Sequence, residues 1–383
     1  MPIYPLKKFE DCLEKVTYTS KIQRKDFLES GYFPIISQEM EQVNGYWENE
    51  KDVFKIKKPV VIFGDHTQVI KYVDFNFVLG ADGVKILQPK DFLNTRYFYY
   101  FLQSVELKSL GYARHYRLLK DLEIPLPPLS AQEEIVAKLD TALASIDEAR
   151  TKTEQNLKNT REIFYNYLHK IVTNKENGWE EKKLKDVAEY FNGLTYSPKN
   201  VSDEGIIVLR SSNVQNDKLD FSDLVRVNLN VKEKIIVKDG DILMCSRNGS
   251  KRLVGKTATI RNLPEKMTFG TFMMIVRSQY NPYLGWFFKS NDFRKQISGG
   301  ENPMINQITR YMLDEIVISF PPVEIQDEIV KKLDNLFSET KKLEILYQNK
   351  LNYLDELRRS VLQEAFVQDF ASLSYFHLLN RTN

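Results

Sequence analysis

At 383 residues, with 42% hydrophobic, 12% aromatic and 28% charged residues, the chain is long enough for two or more cored domains. No apolar run approaches the roughly eighteen residues of a membrane span, and four scattered histidines with two isolated cysteines, Cys12 and Cys245, argue against a metal site and leave neither a zinc cluster nor a disulfide framework available. The net charge of +2 is uneven: segments 130–174 and 324–369 together carry −4, which leaves a modest basic excess of +6 elsewhere.

The opening "MPIYPLKKFEDC" lacks a secretory apolar core, so a cytoplasmic protein is expected. A first globular domain is predicted over 1–128. Within it "LKKFEDC" (6–12) is an amphipathic start, and "VVIFGDHTQVIKYVDFNFVLGADGVKIL" (60–87) reads as strands broken by turns at Asp65-His66 and at Gly80–Gly83. "YFYYFLQS" (97–104) is an aromatic-rich helix candidate.

The next predicted element is a long helix over 129–175, opened by "PPLSAQEEIVAKLD" (127–140). Ser130 and Glu133 fit a capping box, and the Pro pair stops the helix from extending backwards. Ile135, Leu139, Ala142, Ile146 and Ala149 recur with a 4-3-4-3 rhythm, slip at Thr153, and resume at Leu157, Phe164, Leu168 and Ile171. That spacing predicts a coiled-coil seam.

A second globular domain is predicted over 176–322. Its "KKLKDV" (182–187), "YLGWFFKS" (283–290) and "RYMLDEIVISFPP" (310–322) echo the first domain, whereas the interiors diverge. "PPVEIQDEIVKKLD" (321–334) then repeats the first Pro-Pro stretch at an offset of 194, with nine of fourteen residues identical. A second long helix is predicted over 323–370, its stripe running through Ile329, Leu333, Leu336, Thr340, Leu343, Tyr347, Leu351 and Leu354. Residues 371–383 are left as a tail. The fold class is therefore α+β: two mixed α/β domains separated by two long helices that pair as an antiparallel coiled coil, with an approximate internal twofold.

These residues resemble a known family. "WEEKKLKDVAEYFNGLTYSPKN", "VLRSSNVQNDKL", "IIVKDGDILMCSRNGS", "RYMLDEIVISFPP" and "IQDEIVKKLD", in that order, are similar to the specificity subunit of type I restriction–modification systems, over nearly the whole chain before the tail. The resemblance implies two target recognition domains, each binding one half of a split double-stranded DNA site, with the helices fixing the spacing. It implies docking of two methyltransferase subunits and a restriction (motor) subunit. S-adenosylmethionine would belong to the methyltransferase, and ATP and Mg to the restriction partner. The chain itself would hold no cofactor and no catalytic residue. It contains no Asn-Pro-Pro-Tyr type methyltransferase motif and no phosphate-cradling G-x-x-x-x-G-K-[ST].

DNA reading needs donors for phosphates and bidentate side chains for base edges, placed on loops. In the second domain the candidates are Arg210, Ser212 and Asn213, the run Arg247, Asn248, Ser250, Lys251 and Arg252, and Asn306 and Arg310. In the first they are Asp65, His66, Thr67, Gln68 and Lys71, with Arg114, His115, Tyr116 and Arg117. Methyltransferase contacts are assigned to a surface around Gln132, Glu134 and Lys138 and their counterparts Gln326, Glu328 and Lys332. Two other readings stay open: a stand-alone tandem-domain DNA-binding regulator, and a coiled-coil interaction protein without a DNA role.

Overall fold

The computed structural model describes residues 4–111, 113–176, 178–298 and 306–366. The Pro-Pro junctions do open long helices, Leu129–Val172 and Val323–Phe366. The first begins where Pro128 O accepts the Ala131 and Gln132 amides at 2.9 and 3.0 Å. Ser130 therefore lies inside the first turn, and the expected capping box does not form. The chain divides into two units, Met1–Glu154 with Asn349–Asn383 and Gln155–Gln348, so each long helix contributes one half to each.

In the first unit, β1 (Leu6–Lys8), β2 (Lys21–Ile22), β3 (Phe33–Ile36), β4 (Gly45–Trp47) and β5 (Val53–Phe54) precede β6 (Val60–Gly64), β7 (Ile70–Val73), β8 (Phe77–Gly80) and β9 (Val84–Leu87). Helices α1 (Thr95–Ser104) and α2 (Tyr116–Leu119), strand β10 (Glu123–Pro125) and the long α3 (Leu129–Val172) follow. Two small sheets form the body, one ordered β7-β6-β9 and the other β2-β8-β3-β4 with β5 also on β8. Their β-branched and aromatic residues (Val60, Ile62, Val73, Phe77, Val84) fill a buried cluster together with Leu79. β1 pairs antiparallel with β10, Lys7 opposite Ile124, so the incoming and outgoing segments of the domain meet.

The stripe of α3 enters the other core of this unit. Ile135, Leu139, Leu143 and Ile146 are buried with Phe9, Tyr97 and Phe101 of the domain and with Leu362 and Ala365 of the C-terminal helix, against which Leu354 also packs. Arg358 donates to Asp147 at 2.7 Å and Arg150 to Asp355. The helix directions are opposed, as expected for helices that each follow a globular domain.

In the second unit, β11 (Glu180–Lys183), α4 (Leu184–Val187), β12 (Glu189–Asn192), β13 (Val201–Ser202), β14 (Ile206–Leu209), β15 (Val214–Gln215), β16 (Lys218–Leu219) and β17 (Arg226–Val227) come first. They are followed by β18 (Ile242–Cys245), β19 (Thr257–Thr259), β20 (Met267–Phe269), β21 (Met273–Arg277), α5 (Asn281–Phe287), α6 (Asn291–Ser298), α7 (Arg310–Asp314), β22 (Val317–Phe320) and α8 (Val323–Phe366). The main sheets are β12-β21-β18-β19 and β13-β17-β14-β20. β11 pairs with β22, Lys182 opposite Ile318. Phe164, Leu168 and Leu333 are buried with Trp286, and Ile329, Leu336 and Phe337 pack on them. Arg161 of α3 meets Glu344 of α8 at 3.1 Å.

The stripe read from sequence needs one correction. Leu343 is 40% exposed; Thr340, buried, and Glu344, held by Arg161 and Lys341, take the inward positions on either side of it. A straight helix has 3.6 residues per turn, so a strict heptad drifts off the buried face.

The two domains share one frame, bond for bond. Phe9 N donates to Leu122 O at 3.0 Å, and Leu184 N to Ile316 O at 2.9 Å. The Tyr97 hydroxyl donates to Pro125 O at 2.9 Å, and that of Tyr283 to Ser319 O at 2.7 Å. Tyr100 bonds Asp140, and Trp286 Nε1 bonds Asp334 at 3.1 Å. β6 lies between β7 and β9 as β18 lies between β19 and β21, with Gly64 opposite Val84 as Cys245 is opposite Met273. β8 runs parallel to β3 as β20 does to β14.

Candidate nucleic-acid interface

The loops at the end of this frame carry the candidate residues. In the second domain four of them converge. Ser246 and Arg247 N–H both donate to Phe272 O (3.0 and 3.1 Å), and Ile308 N donates to Ser246 O at 2.7 Å. Arg247 also lies opposite Gln307 in a β-bridge. Asn248 Nδ2 donates to Ser211 Oγ at 3.0 Å, and Lys256 Nζ to Ser211 O and Val214 O at 2.6 and 2.8 Å. Segments 210–213, 246–252, 270–272 and 306–310 thus form one surface.

Within it the polar side chains divide into braces and free groups. Asn213, buried, donates to Asp220 O and Asp223 O and accepts from Arg210 N. It holds the loop's shape and has no face for a base, which corrects its reading as a contact. Arg210 is paired with Asp223 at 2.8 Å, and Asn248 is occupied by Ser211 and by Ser250 N. Arg247, Ser250, Lys251, Arg252, Ser212, Asn306 and Arg310 are exposed. Among the described residues Arg247, Lys251, Arg252 and Arg310 make no ion pair, and the Arg247 guanidinium lies 5.5 Å from the exposed Phe272 ring. Lys256 and Phe272 were missed in the sequence. A single Lys before a strand and a Phe within "GTFMMIVR" carry no local signal.

In the first domain the hairpin β6–β7 presents Asp65–Gln68. Asp65 is buried: its Oδ1 accepts from Tyr116 N at 2.8 Å, and its backbone carbonyl accepts from His115 N and from the His115 ring Nδ1 at 2.7 and 3.0 Å. His115 Nε2 in turn accepts from Leu110 N at 3.0 Å, so the ring bridges two backbone groups. Lys71, also buried, donates to Glu41 O and Asn44 Oδ1 at 2.5 and 2.9 Å, and burial lowers its pKa to about 8. Asp65, His115 and Lys71 are therefore scaffold rather than contacts, because each is buried and spends its polar atoms on neighbouring groups of its own domain. His66 and Thr67 fasten the turn to Gln38 through His66 N and Thr67 Oγ1 (3.2 and 2.5 Å). Tyr116 is half-buried against Phe9. Thr67, Arg114 and Arg117 are exposed and Gln68 half-buried, at a turn with φ +59°.

The expected partner surface also changes. Gln132 is fully buried; its Nε2 donates to Phe92 O and Pro127 O (3.0 and 2.9 Å) and its Oε1 accepts from Asn94 N at 2.8 Å. Gln326 is buried too and donates to Pro321 O at 3.0 Å. Gln132 clamps the domain to its helix and Gln326 ties its helix to the preceding Pro-Pro junction, so neither lies on a docking surface. Glu134, Lys138, Glu328 and Lys332 are exposed, the last two paired at 2.6 Å.

Comparison with known proteins follows the same division. The type I restriction modification DNA specificity domain matches residues 7–159 and again 176–352. The EcoKI specificity subunit of Escherichia coli (strain K12) is 32% identical over 196 residues, 48% of this chain and 42% of that protein. The StySPI specificity subunit of Salmonella potsdam is 33% identical over 199 residues, again 42% of its length, so these two matches span less than half of the relatives. The EcoBI specificity subunit of Escherichia coli is 23% identical over 368 residues, 84% of this chain and 74% of that one. Among solved structures, a chain from work on complex assembly and conformational transition of the type I R-M system superposes with TM-score 0.72 at 16% identity, covering 96% of this chain and 98% of that one. The HsdS subunit from Thermoanaerobacter tengcongensis gives 0.57 at 17% identity, covering 97% and 98%. These two likenesses concern the fold. With the family's domain matched twice, on the same two halves that share one frame, the chain belongs to the type I restriction–modification DNA specificity family.

Proposed function

We propose that the chain is the DNA-reading, non-catalytic subunit of a type I restriction–modification complex, working in the cytoplasm. Each globular domain reads one half of a bipartite double-stranded site, and the opposed halves of α3 and α8 hold the readers. Two methyltransferase subunits dock on the helices near Glu134 and Lys138, and near Glu328 and Lys332, and restriction subunits join that assembly. Adenine methylation with S-adenosylmethionine takes place in the methyltransferase, and ATP and Mg serve the restriction subunit. The observation that carries the reading is a repeated frame ending in two different loop sets, with exposed Arg247, Lys251 and Arg252 on one of them, none of which makes an ion pair among the described residues. Phosphate and base recognition asks for such groups on a rigid support.

The test is a methylome. The chain is expressed with its candidate methyltransferase in a host lacking adenine methylation, and modified bases are mapped genome-wide. Methyladenine at one split motif, lost when either protein is omitted, is the expected result. No methylation from a soluble, co-purifying pair would sink the proposal.

A further inference from the structure

We infer that Phe272 is a specificity-determining residue of the second domain, an apolar contact to bases in the groove with no equivalent in the first domain. The inference rests on the proposed DNA-reading function and deepens it. Lone exposed aromatics are common on protein surfaces, so exposure alone decides nothing. The decisive features are where this ring stands, how it is held, and what occupies the same position in the sister domain.

Phe272 is 55% exposed, in the turn Gly270–Phe272 between β20 and β21. The turn is fastened on every side: Gly270 N donates to Leu209 O (2.9 Å), Met273 N to Gly270 O (2.8 Å), Leu194 N to Phe269 O (2.7 Å), and Phe272 O takes two amides from the 246–247 loop. A Cβ on Gly193 would stand 2.2 Å from Gly270 O, so the neighbouring loop is packed against the turn as backbone on backbone. The ring therefore projects from a stiff tip, beside Arg247, whose backbone bridges Gln307, and little conformational freedom remains to be lost on binding.

The first domain supplies an internal control. The bond Ser246 N to Phe272 O has its counterpart in Asp65 N to Gly83 O at 2.7 Å, and the strand registers agree. Position 272 thus corresponds to Gly83, with φ +83°, where a Cβ would meet Gln38 Oε1 at 2.7 Å and His66 Cδ2 at 2.9 Å. One domain closes this place with polar side chains and tolerates none of its own. The other fills it with a protruding ring beside the exposed Arg247. A phenyl ring can pack on a thymine methyl or wedge a base step, and either makes the second half-site sensitive to what the first cannot sense.

The test uses the full chain and two 40-bp duplexes, one carrying the split motif found by the methylome and one scrambled. Phe272→Ala should lose about tenfold or more in affinity for the motif, with scrambled binding nearly unchanged. Phe272→Leu should recover part of that loss, and emission of Phe272→Trp should be quenched by the motif duplex. Deoxyuridine in place of thymine in the second half-site separates the two apolar contacts: a loss matched to Phe272→Ala assigns the methyl, and no loss assigns the wedge. Wild-type affinity in Phe272→Ala, from a wild type that discriminates the motif, overturns the inference and leaves the proposed function standing. So does lost methyltransferase co-purification with DNA binding intact, which would place the ring in a protein interface. A wild type that cannot tell the two duplexes apart overturns the inference, and a methylome without a split motif overturns the proposed function beneath it.

Discussion

Gln132→Ala separates a buried clamp from a docking residue. Three hydrogen bonds vanish, and Phe92 O, Pro127 O and Asn94 N are left without that partner around a residue that is fully buried. A net bond contributes about 1 kcal/mol and an orphaned buried group costs about 1–3 kcal/mol, so a loss of about 3–5 kcal/mol is expected. Gln326→Ala is the control in the second copy. There the N–H of Tyr280 is taken by Ser278 Oγ at 3.0 Å, and Gln326 makes one described bond, to Pro321 O. Its loss should be about 1–2 kcal/mol. With a urea m-value of about 2 kcal/mol/M, the midpoint of the first unit would fall by roughly 1.5–2.5 M and that of the second by less than 1 M. Because two units can unfold separately, urea titration by circular dichroism is paired with hydrogen exchange on peptides from α1 and α5. Equal shifts for the two variants, or lost methyltransferase binding without lost stability, would refute the clamp.

Three further outcomes follow from the structure. Arg247→Ala should weaken binding at the second half-site about tenfold and flatten the dependence of log K on log salt by about one, whereas Arg210→Ala, already paired with Asp223, should do less; fluorescence anisotropy across a salt series checks both. Lys71 is protonated to about pH 8 in the fold and to roughly 10.4 when unfolded, so the unfolded chain holds the extra proton between those values and stability rises with pH there. Urea midpoints should rise from pH 8 to 9.5 by the equivalent of about 1–2 kcal/mol more in wild type than in Lys71→Met. Gly193→Ala drives a Cβ to 2.2 Å from Gly270 O and should cost more than about 2 kcal/mol by thermal unfolding, while Gly249→Ala, with open space around it, should be neutral.

The repeated frame was legible because its signals are local. Pro-Pro junctions, apolar periodicity and turn residues each act within a few positions, and the hairpin at Asp65, the turn at Gly80–Gly83 and the helix at 97–104 all form. The fate of individual polar side chains was not legible. Asp65, Lys71, His115, Asn213, Gln132 and Gln326 read as surface groups because their residue types usually are. Their burial depends on backbone groups brought close by tertiary contact; Lys71 meets Glu41 O across thirty residues of chain. Phe272 was hidden for the opposite reason, since an aromatic among β-branched residues reads as core until the turn preceding the strand is located.

The pairing of β1 with β10, and of β11 with β22, gives each domain a single doorway. The chain leaves at Lys8 and returns opposite it at Glu123, or leaves at Lys183 and returns opposite it at Val317. What lies between can lengthen without moving the threshold, and it has: the second enclosed stretch is nineteen residues longer than the first. Loop closure makes such growth cheap, since its entropic penalty rises only with the logarithm of length. A molecule built this way can exchange one bounded insert for another while the two long helices and the hydrogen bonds that anchor each domain to them keep the same addresses.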